Sequence, residues 1–238
     1  YLKEGPFTEN FFDHYLKSAK EKGLKQVGLV DHLYRFKETR AYFDQFVIVD
    51  DTPLGKEQRY FFDTIMIEEM DVFIAFVQSQ KEKWKQEGIE LRLGIEADYF
   101  VGGEEMLRPW LEEKPWDFVI GSVHFNQGWG FDNPDTIDRY NDLDLLALYK
   151  DHFHTVEKLI QSGLFDFVAH LDNLKVFNFR PNEDELISMY EKIGDLLMQH
   201  NMATELSTGL KYRYPVQECC PSPTFLEVLV KKGVPFTL

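Results

Sequence analysis

Four short segments of the 238-residue chain each carry an apolar run into a side chain able to hold a metal. They are Gly28-Leu29-Val30-Asp31-His32, Gly94-Ile95-Glu96-Ala97-Asp98, Ile120-Gly121-Ser122-Val123-His124 and Phe167-Val168-Ala169-His170-Leu171-Asp172. Apolar runs of this length read as buried strands. Imidazoles mixed with carboxylates suit divalent cations such as zinc, iron and manganese. His32, Glu96, His124 and His170 are therefore candidate metal ligands, because the C-terminal ends of parallel strands converge on one mouth. A lone strand-end histidine is more often a hydrogen-bonded structural residue. Four ligand-type residues in the same context share a geometric reason to meet. A carboxylate such as Glu96 can bridge two cations, and close-set cations bind a phosphoryl oxygen and acidify a water for in-line attack.

Other residues qualify this set. Asp31 and Asp98 are candidates for fixing histidine tautomers, with a loop cap as the alternative for Asp98. Asp172 either orients His170 or gives and takes a proton, a helix cap being the other reading. Ser207-Thr208-Gly209-Leu210-Lys211-Tyr212-Arg213-Tyr214-Pro215 offers cations and hydroxyls suited to a phosphate monoester, or is a solvated loop. Lys175 and Arg180 are further candidate phosphate contacts. Trp129 and Phe131 wall a pocket or pack the core. His152 and His154 lie two apart on one predicted helix, so they face different sides and read as structural or solvated. His14 and His200 read as surface residues.

Positioning these groups requires alternating helices and strands. Asn10–Lys22 has an apolar face through Phe11, Phe12, Tyr15, Leu16 and Ala19, and Gly23 stops it. Strands are expected at 26–30, 90–95, 118–123, 165–169, 202–206 and 234–238. Between them, 36–55 reads as an irregular insertion and 57–87 as one long helix or two broken ones. Further helices are expected at 107–113, 143–162, 184–200 and 223–232, the second and last closed by Gly163 and Gly233. Six strands separated by helices indicate parallel pairing through crossovers. Periodicity alone does not separate a closed barrel from an open sheet. No Gly-rich nucleotide loop favours the open form.

Composition narrows the classes. With 26 basic and 41 acidic residues the net charge is −15, which argues against binding a nucleic-acid backbone. The chain length suits one domain over 1–238. Cys219 and Cys220 are adjacent and have no third partner, so a reduced, cytoplasmic setting is expected. No apolar stretch approaches about 18 residues, so no membrane span is expected, and no leader pattern is visible.

In their order along the chain these segments resemble the PHP (polymerase and histidinol phosphatase) family, particularly its histidinol-phosphate phosphatases. Val30-Asp31-His32, Gly94-Ile95-Glu96, Ser122-Val123-His124 with Gly128-Trp129-Gly130-Phe131-Asp132, and Ala169-His170-Leu171-Asp172 are similar to successive family motifs. Glu205-Leu206-Ser207-Thr208-Gly209-Leu210, with Arg213, Pro215 and Pro221-Ser222-Pro223, resembles the substrate-side loop. The resemblance implies an α/β fold, a distorted seven-stranded (β/α)7 TIM-like barrel, with a site for up to three divalent metals. It implies that Glu96 bridges two metals, that His124 and His170 hold one of that pair, that His32 holds the third, and that Arg213 contacts phosphate. The implied reaction is hydrolysis of L-histidinol phosphate, a small phosphorylated substrate. A different small phosphoester and a non-catalytic PHP-like binding protein are the alternatives. The family pattern opens on a strand ending His-x-His and closes on one ending Ser-Asp-x-His. Residues 1–238 hold neither, so four expected ligands fall outside the sequence and its first and last strand ends are expected to be truncated. Glu4 is a weaker candidate ligand beside the third metal.

Overall fold

A computed structural model describes residues 8–238, the side chain of Phe11 excepted. Six parallel strands form one sheet in chain order: β1 (Gln26–His32), β2 (Glu90–Asp98), β3 (Phe118–Ser122), β6 (Phe167–Val168), β7 (Ala203–Glu205) and β8 (Phe236–Thr237). The sheet is curled into a half-barrel, and residues from all six strands line its concave face. A short antiparallel hairpin, β4 (Phe125–Asn126) and β5 (Trp129–Gly130), leaves the end of β3. Six strands stand in the sheet among the described residues, where the resemblance implies seven.

Each crossover is helical. α1 (Glu9–Glu21) precedes β1; α2 (Arg40–Phe46), α3 (Pro53–Ile65) and α4 (Met70–Gln86) connect β1 to β2; α5 (Glu104–Glu112) connects β2 to β3. α6 (Leu145–Ser162) leads to β6, α7 (Ile187–Gln199) to β7, and α8 (Leu210–Arg213) with α9 (Pro223–Lys232) to β8. The predicted glycine stops hold: Gly163 and Gly233 adopt left-handed φ of 69° and 79° after α6 and α9. The reading of 36–55 as irregular is corrected. It contains α2 and the start of α3, whose Pro53 sits in the first turn behind Thr52, with the Thr52 hydroxyl accepting from the Gly55 N–H. The stretch 57–87 is two helices, broken between Ile65 and Met70.

The main core is one contiguous aromatic-rich cluster between the sheet and its helices, including Phe43, Phe62, Trp84, Phe100, Phe125 and Phe153. A second small cluster, Val176, Leu210 and Cys220 with Phe177 and Tyr214, lies among the loops following β6 and β7, Phe177 also packing against the main core. On the concave face, Gly28 and Gly94 leave room for Phe118. A Cβ at either position would come within 2.6 Å or less of the Phe118 ring. Phe118 in turn stacks on Phe167 at a 5.9 Å centroid separation.

Candidate metal centre

Strand register brings the ligand candidates together. His32 is paired directly with Glu96 across β1 and β2, and Glu96 with Ile120 across β2 and β3. His124 follows β3 and His170 follows β6, so both rise from the same C-terminal edge. The Nε2 atoms of His124 and His170 lie 3.5 and 3.1 Å from Glu96 Oε1, and His32 Nε2 lies 3.6 Å from Glu96 Oε2. One carboxylate is thus flanked on one oxygen by two imidazoles and on the other by a third. Ligand atoms of His32, Glu96 and His124 all fall within 4.8 Å of one another. The rings of His124 and His170 are 4.7 Å apart.

The surrounding groups aim these rings. Asp98 is 1% exposed and its Oδ1 takes the His124 Nδ1–H at 2.8 Å, which leaves Nε2 turned toward Glu96. Of the two readings of Asp98, the geometry is that of a histidine-orienting acceptor. Its Oδ2 and His170 Nδ1 are buried without a hydrogen-bond partner among the described residues. Glu205 Oε2 accepts the His170 backbone N–H at 3.3 Å. Asp31 accepts the His32 N–H at 2.8 Å and faces Arg35 at 3.8 Å.

Electrostatics follow from this crowding. Burial raises the Glu96 carboxyl, yet His32, His170 and His124 together hold it well below the usual carboxylate range. Burial lowers His124, but Asp98, Asp132 and Glu96 overcome it and push the ring up to about 10. His170 is also raised, Glu96 outweighing burial. Asp31 is raised, chiefly by burial. A cation bound here would displace the proton that these neighbours favour on His124, as metal binding does at imidazole sites. Three inward Nε2 atoms around a shared carboxylate fit a divalent cation pair in donor type and direction.

The cleft above this centre has a volume of about 160 Å3, and Asp132, Asn173, Glu205, Ser207, Arg213 and Tyr214 contribute to its lining. Arg213 therefore shares the cleft with the four ligand candidates. A larger cavity of about 400 Å3 adjoins it, sharing His124, Asp132 and Tyr214, with Tyr34, Arg35 and Phe61 among its walls. Buried Gln58 shapes that wall: its amide donates to Gly128 O at 2.9 Å and its oxygen accepts the Gly130 N–H at 2.6 Å, tying α3 to the β4–β5 hairpin.

Several expectations are corrected by position. Asp172 does not face the cleft; it is buried, with one oxygen taking the Cys220 Sγ–H at 2.6 Å and the other taking Lys175 Nζ at 2.9 Å and the Ser222 N–H at 2.8 Å. Both oxygens are engaged within the protein, and Asp172 is not among the residues lining the cleft. Lys175 is 2% exposed and bound to Asp172 and Cys219 O, so it is not poised for phosphate. Arg180 pairs with Glu218 at 2.9 Å instead of lining the cleft. Buried His152 is structural: Nε2–H donates to Leu171 O at 2.9 Å, and burial lowers the ring to about 4. His154, His14 and His200 are exposed. Trp129 and Phe131 are buried in the core. Glu4 lies outside the described residues. Glu205 and Asp132, which the sequence places inside longer motifs without singling them out, both line the cleft, and Glu205 ends a strand as Glu96 nearly does.

A curled parallel sheet with imidazoles and carboxylates gathered at its C-terminal edge defines an α/β scaffold built around a metal-ligand mouth. Residues 8–209 match the model of the PHP domain, and the chain belongs to that family. A protein of Deinococcus radiodurans named "Probable histidinol-phosphatase" is 34% identical over 172 residues, 72% of this chain. The match spans 64% of that relative's length. The HisK protein of Listeria monocytogenes superposes with a TM-score of 0.74 at 18% identity, over 95% of this chain and 86% of that one. Histidinol phosphate phosphatase of Lactococcus lactis, solved with zinc, L-histidinol and phosphate, superposes with a TM-score of 0.65 at 15% identity, over 94% and 77%. No helix among the described residues is long and apolar enough to cross a membrane.

Proposed function

We propose that this chain is a metal-dependent phosphomonoesterase domain, one folding unit over 1–238, that hydrolyses L-histidinol phosphate to L-histidinol and phosphate in cytoplasmic histidine biosynthesis. Its sheet would be part of a seven-stranded PHP barrel, and its centre would hold up to three zinc, iron or manganese ions. The observation that carries the reading is Glu96, set between the Nε2 atoms of His32, His124 and His170 in a cleft that Arg213 also lines. The Deinococcus relative's name and the ligands of the Lactococcus structure support the substrate.

Glu96 would be shared by two cations, His124 and His170 holding one of that pair, and His32 would hold the third. Bound there, divalent cations supply Lewis-acid polarisation of a phosphoryl group and an acidified water. The chain's own residues do the rest. Arg213 supplies a guanidinium fork suited to the phosphoryl oxygens. Asp98 fixes His124 as an Nε2 donor, and Asp31 does not orient a ring but braces the His32 backbone. The adjoining cavity would receive the leaving alcohol. Aromatic Tyr34 and Phe61 suit a planar ring, and Asp132 suits a basic nitrogen.

Protein loaded with Mn2+, Fe2+ or Zn2+ is tested for phosphate release from L-histidinol phosphate, a nucleoside monophosphate and an aryl phosphate. Preference for histidinol phosphate is expected. Turnover of the others alone would move the substrate to another small phosphoester. No turnover together with less than one metal per chain would leave a non-catalytic PHP-like binding protein.

A further inference from the structure

The loop carrying Arg213 is docked on the loop carrying His170. Residues 207–222 leave β7 and return to α9. They touch the 170–180 segment repeatedly: the Val216 N–H donates to Val176 O at 3.2 Å, Lys175 Nζ to Cys219 O at 2.8 Å, and Arg180 pairs with Glu218 at 2.9 Å. Val176, Leu210 and Cys220, with Phe177 and Tyr214, form a small apolar cluster that meets the main core through Phe177. Within the arm, Ser207 and Cys220 exchange both backbone hydrogen bonds, at 2.8 and 2.9 Å. Asp172 sits at the join. Its carboxylate collects Cys220 Sγ–H and the Ser222 N–H from the arm and Lys175 Nζ from its own loop, and its backbone N–H donates back to Cys220 Sγ at 3.4 Å.

The opposite side of the 170–180 loop is fixed independently. His152 Nε2–H holds Leu171 O, and the Asn173 side-chain amide donates to Val123 O at 3.3 Å, beside His124. The backbone around His170 thus has supports that do not pass through Asp172, whereas the innermost anchor of the Arg213 arm among the described residues is Asp172. A buried carboxylate with three donors is also costly to disturb, because each donor left behind is stranded out of water.

We propose that Asp172 is a positioning residue that docks the Arg213 arm over the metal mouth, so that it governs capture of the phosphoester and not metal occupancy. The proposal rests on the phosphatase reading only for where Arg213 acts. When the docked state becomes a minor population, apparent affinity falls by the docked fraction.

The test compares wild type with Asp172→Asn, which keeps shape but loses charge and turns a donor toward groups that also donate. Metal per chain, kcat and KM for histidinol phosphate, and hydrogen exchange are measured on the metal-loaded protein. KM is expected to rise about tenfold or more, with kcat changed far less and metal content unchanged, as for a docked fraction of about one in ten. Amides of 207–218 should exchange faster while those of β2 and β3 do not. Glu218→Gln loosens the same arm from its half-exposed end, so it covers the case in which Asp172→Asn does not fold; it should raise KM about two- to threefold. Unchanged exchange in 207–218 in a folded variant, or a fall in metal content that accounts for the lost activity, overturns the proposal. If the wild type turns over no phosphoester, the exchange pattern still decides the docking claim, and titration with inorganic phosphate replaces KM.

Discussion

Replacing Glu96 with glutamine keeps the volume of the side chain and removes the one negative charge that His32, His124 and His170 share. The three ring nitrogens stand 3.1 to 3.6 Å from its oxygens. A cation seated between those nitrogens and the carboxylate is no farther from the anion than the nitrogens are. At about 3.5 Å and an effective dielectric of about 20, one unit of charge interacts by about 4–5 kcal/mol. Losing that attraction weakens the more loosely held cation on the order of a thousandfold or more. The amide also presents an N–H2 to one side of the centre, where lone pairs are required for a metal. Glu96→Gln is therefore expected to emerge from gel filtration with fewer metals per chain than wild type by elemental analysis. Phosphate release should fall at least about a thousandfold, in line with loss of Lewis-acid stabilisation. Far-UV circular dichroism should match wild type, because the sheet register at His32, Glu96 and Ile120 is set by backbone pairing. A variant with wild-type metal content and turnover within tenfold would refute the idea that Glu96 is the shared anion of the centre.

Two further predictions concern the scaffold. Gly94→Ala places a Cβ within about 2.3–2.4 Å of the Phe118 ring tip, which is already stacked on Phe167. The overpacking should cost about 1–3 kcal/mol, read as a lower urea midpoint, and an unchanged or higher midpoint would contradict the packing argument. His152 is the clearest pH-linked structural group: burial lowers its folded pKa from 6.5 to about 4, so the unfolded chain takes the proton first as pH falls. Its contribution is complete above pH 6.5 and is lost progressively toward pH 4, amounting to on the order of 3 kcal/mol. His152→Gln, which retains a donor for Leu171 O, should flatten that part of the stability–pH curve measured by chemical denaturation; an identical slope would show that the ring does not titrate differently on folding.

The ligand mouth was legible because each strand run is apolar up to its C-terminal end, where a ligand-type residue stands out, even though β1 alternates exposed and half-buried residues along the open concave face. The same logic would have reached Glu205, but β7 is only three residues long and its run is weak. Asp98 had two sequence readings, since only the β2–β3 pairing of Asp98 with Ser122 brings it beside His124. Asp172 and Lys175 looked like chemistry because a carboxylate and an amine near a ligand histidine suit either catalysis or each other. Their spacing across a 3-10 turn closes them into a buried pair, which no pattern of types can distinguish from an exposed one. The insertion 36–55 was misread because Asp50, Asp51, Pro53 and Gly55 look like turn punctuation. In the fold, proline opens α3, and Gly55 is required because a Cβ there would lie 2.3 Å from Asp50 Oδ1.

The charge distribution gives a separate reason to place cations in this cleft. The proposed substrate, a phosphomonoester, is an anion, and this chain carries a net charge of −15. The cleft itself is lined by Glu96, Asp132 and Glu205, with Arg213 as its one guanidinium among the described lining residues. Lys175 and Arg180, which would have eased this balance, are committed to Asp172 and Glu218. Juxtaposing a phosphate with three carboxylates costs several kcal/mol unless positive charge intervenes. Protonated histidines would provide some of it, and His124 is held protonated to about pH 10 by its acidic neighbours. But a ring that keeps its proton so firmly is a poor proton donor near neutrality. Cations displacing those protons resolve both difficulties together: they reverse the sign of the cleft and turn the imidazoles into ligands. The same acidic lining that would repel a phosphoester from the bare protein is what a metal-loaded centre requires.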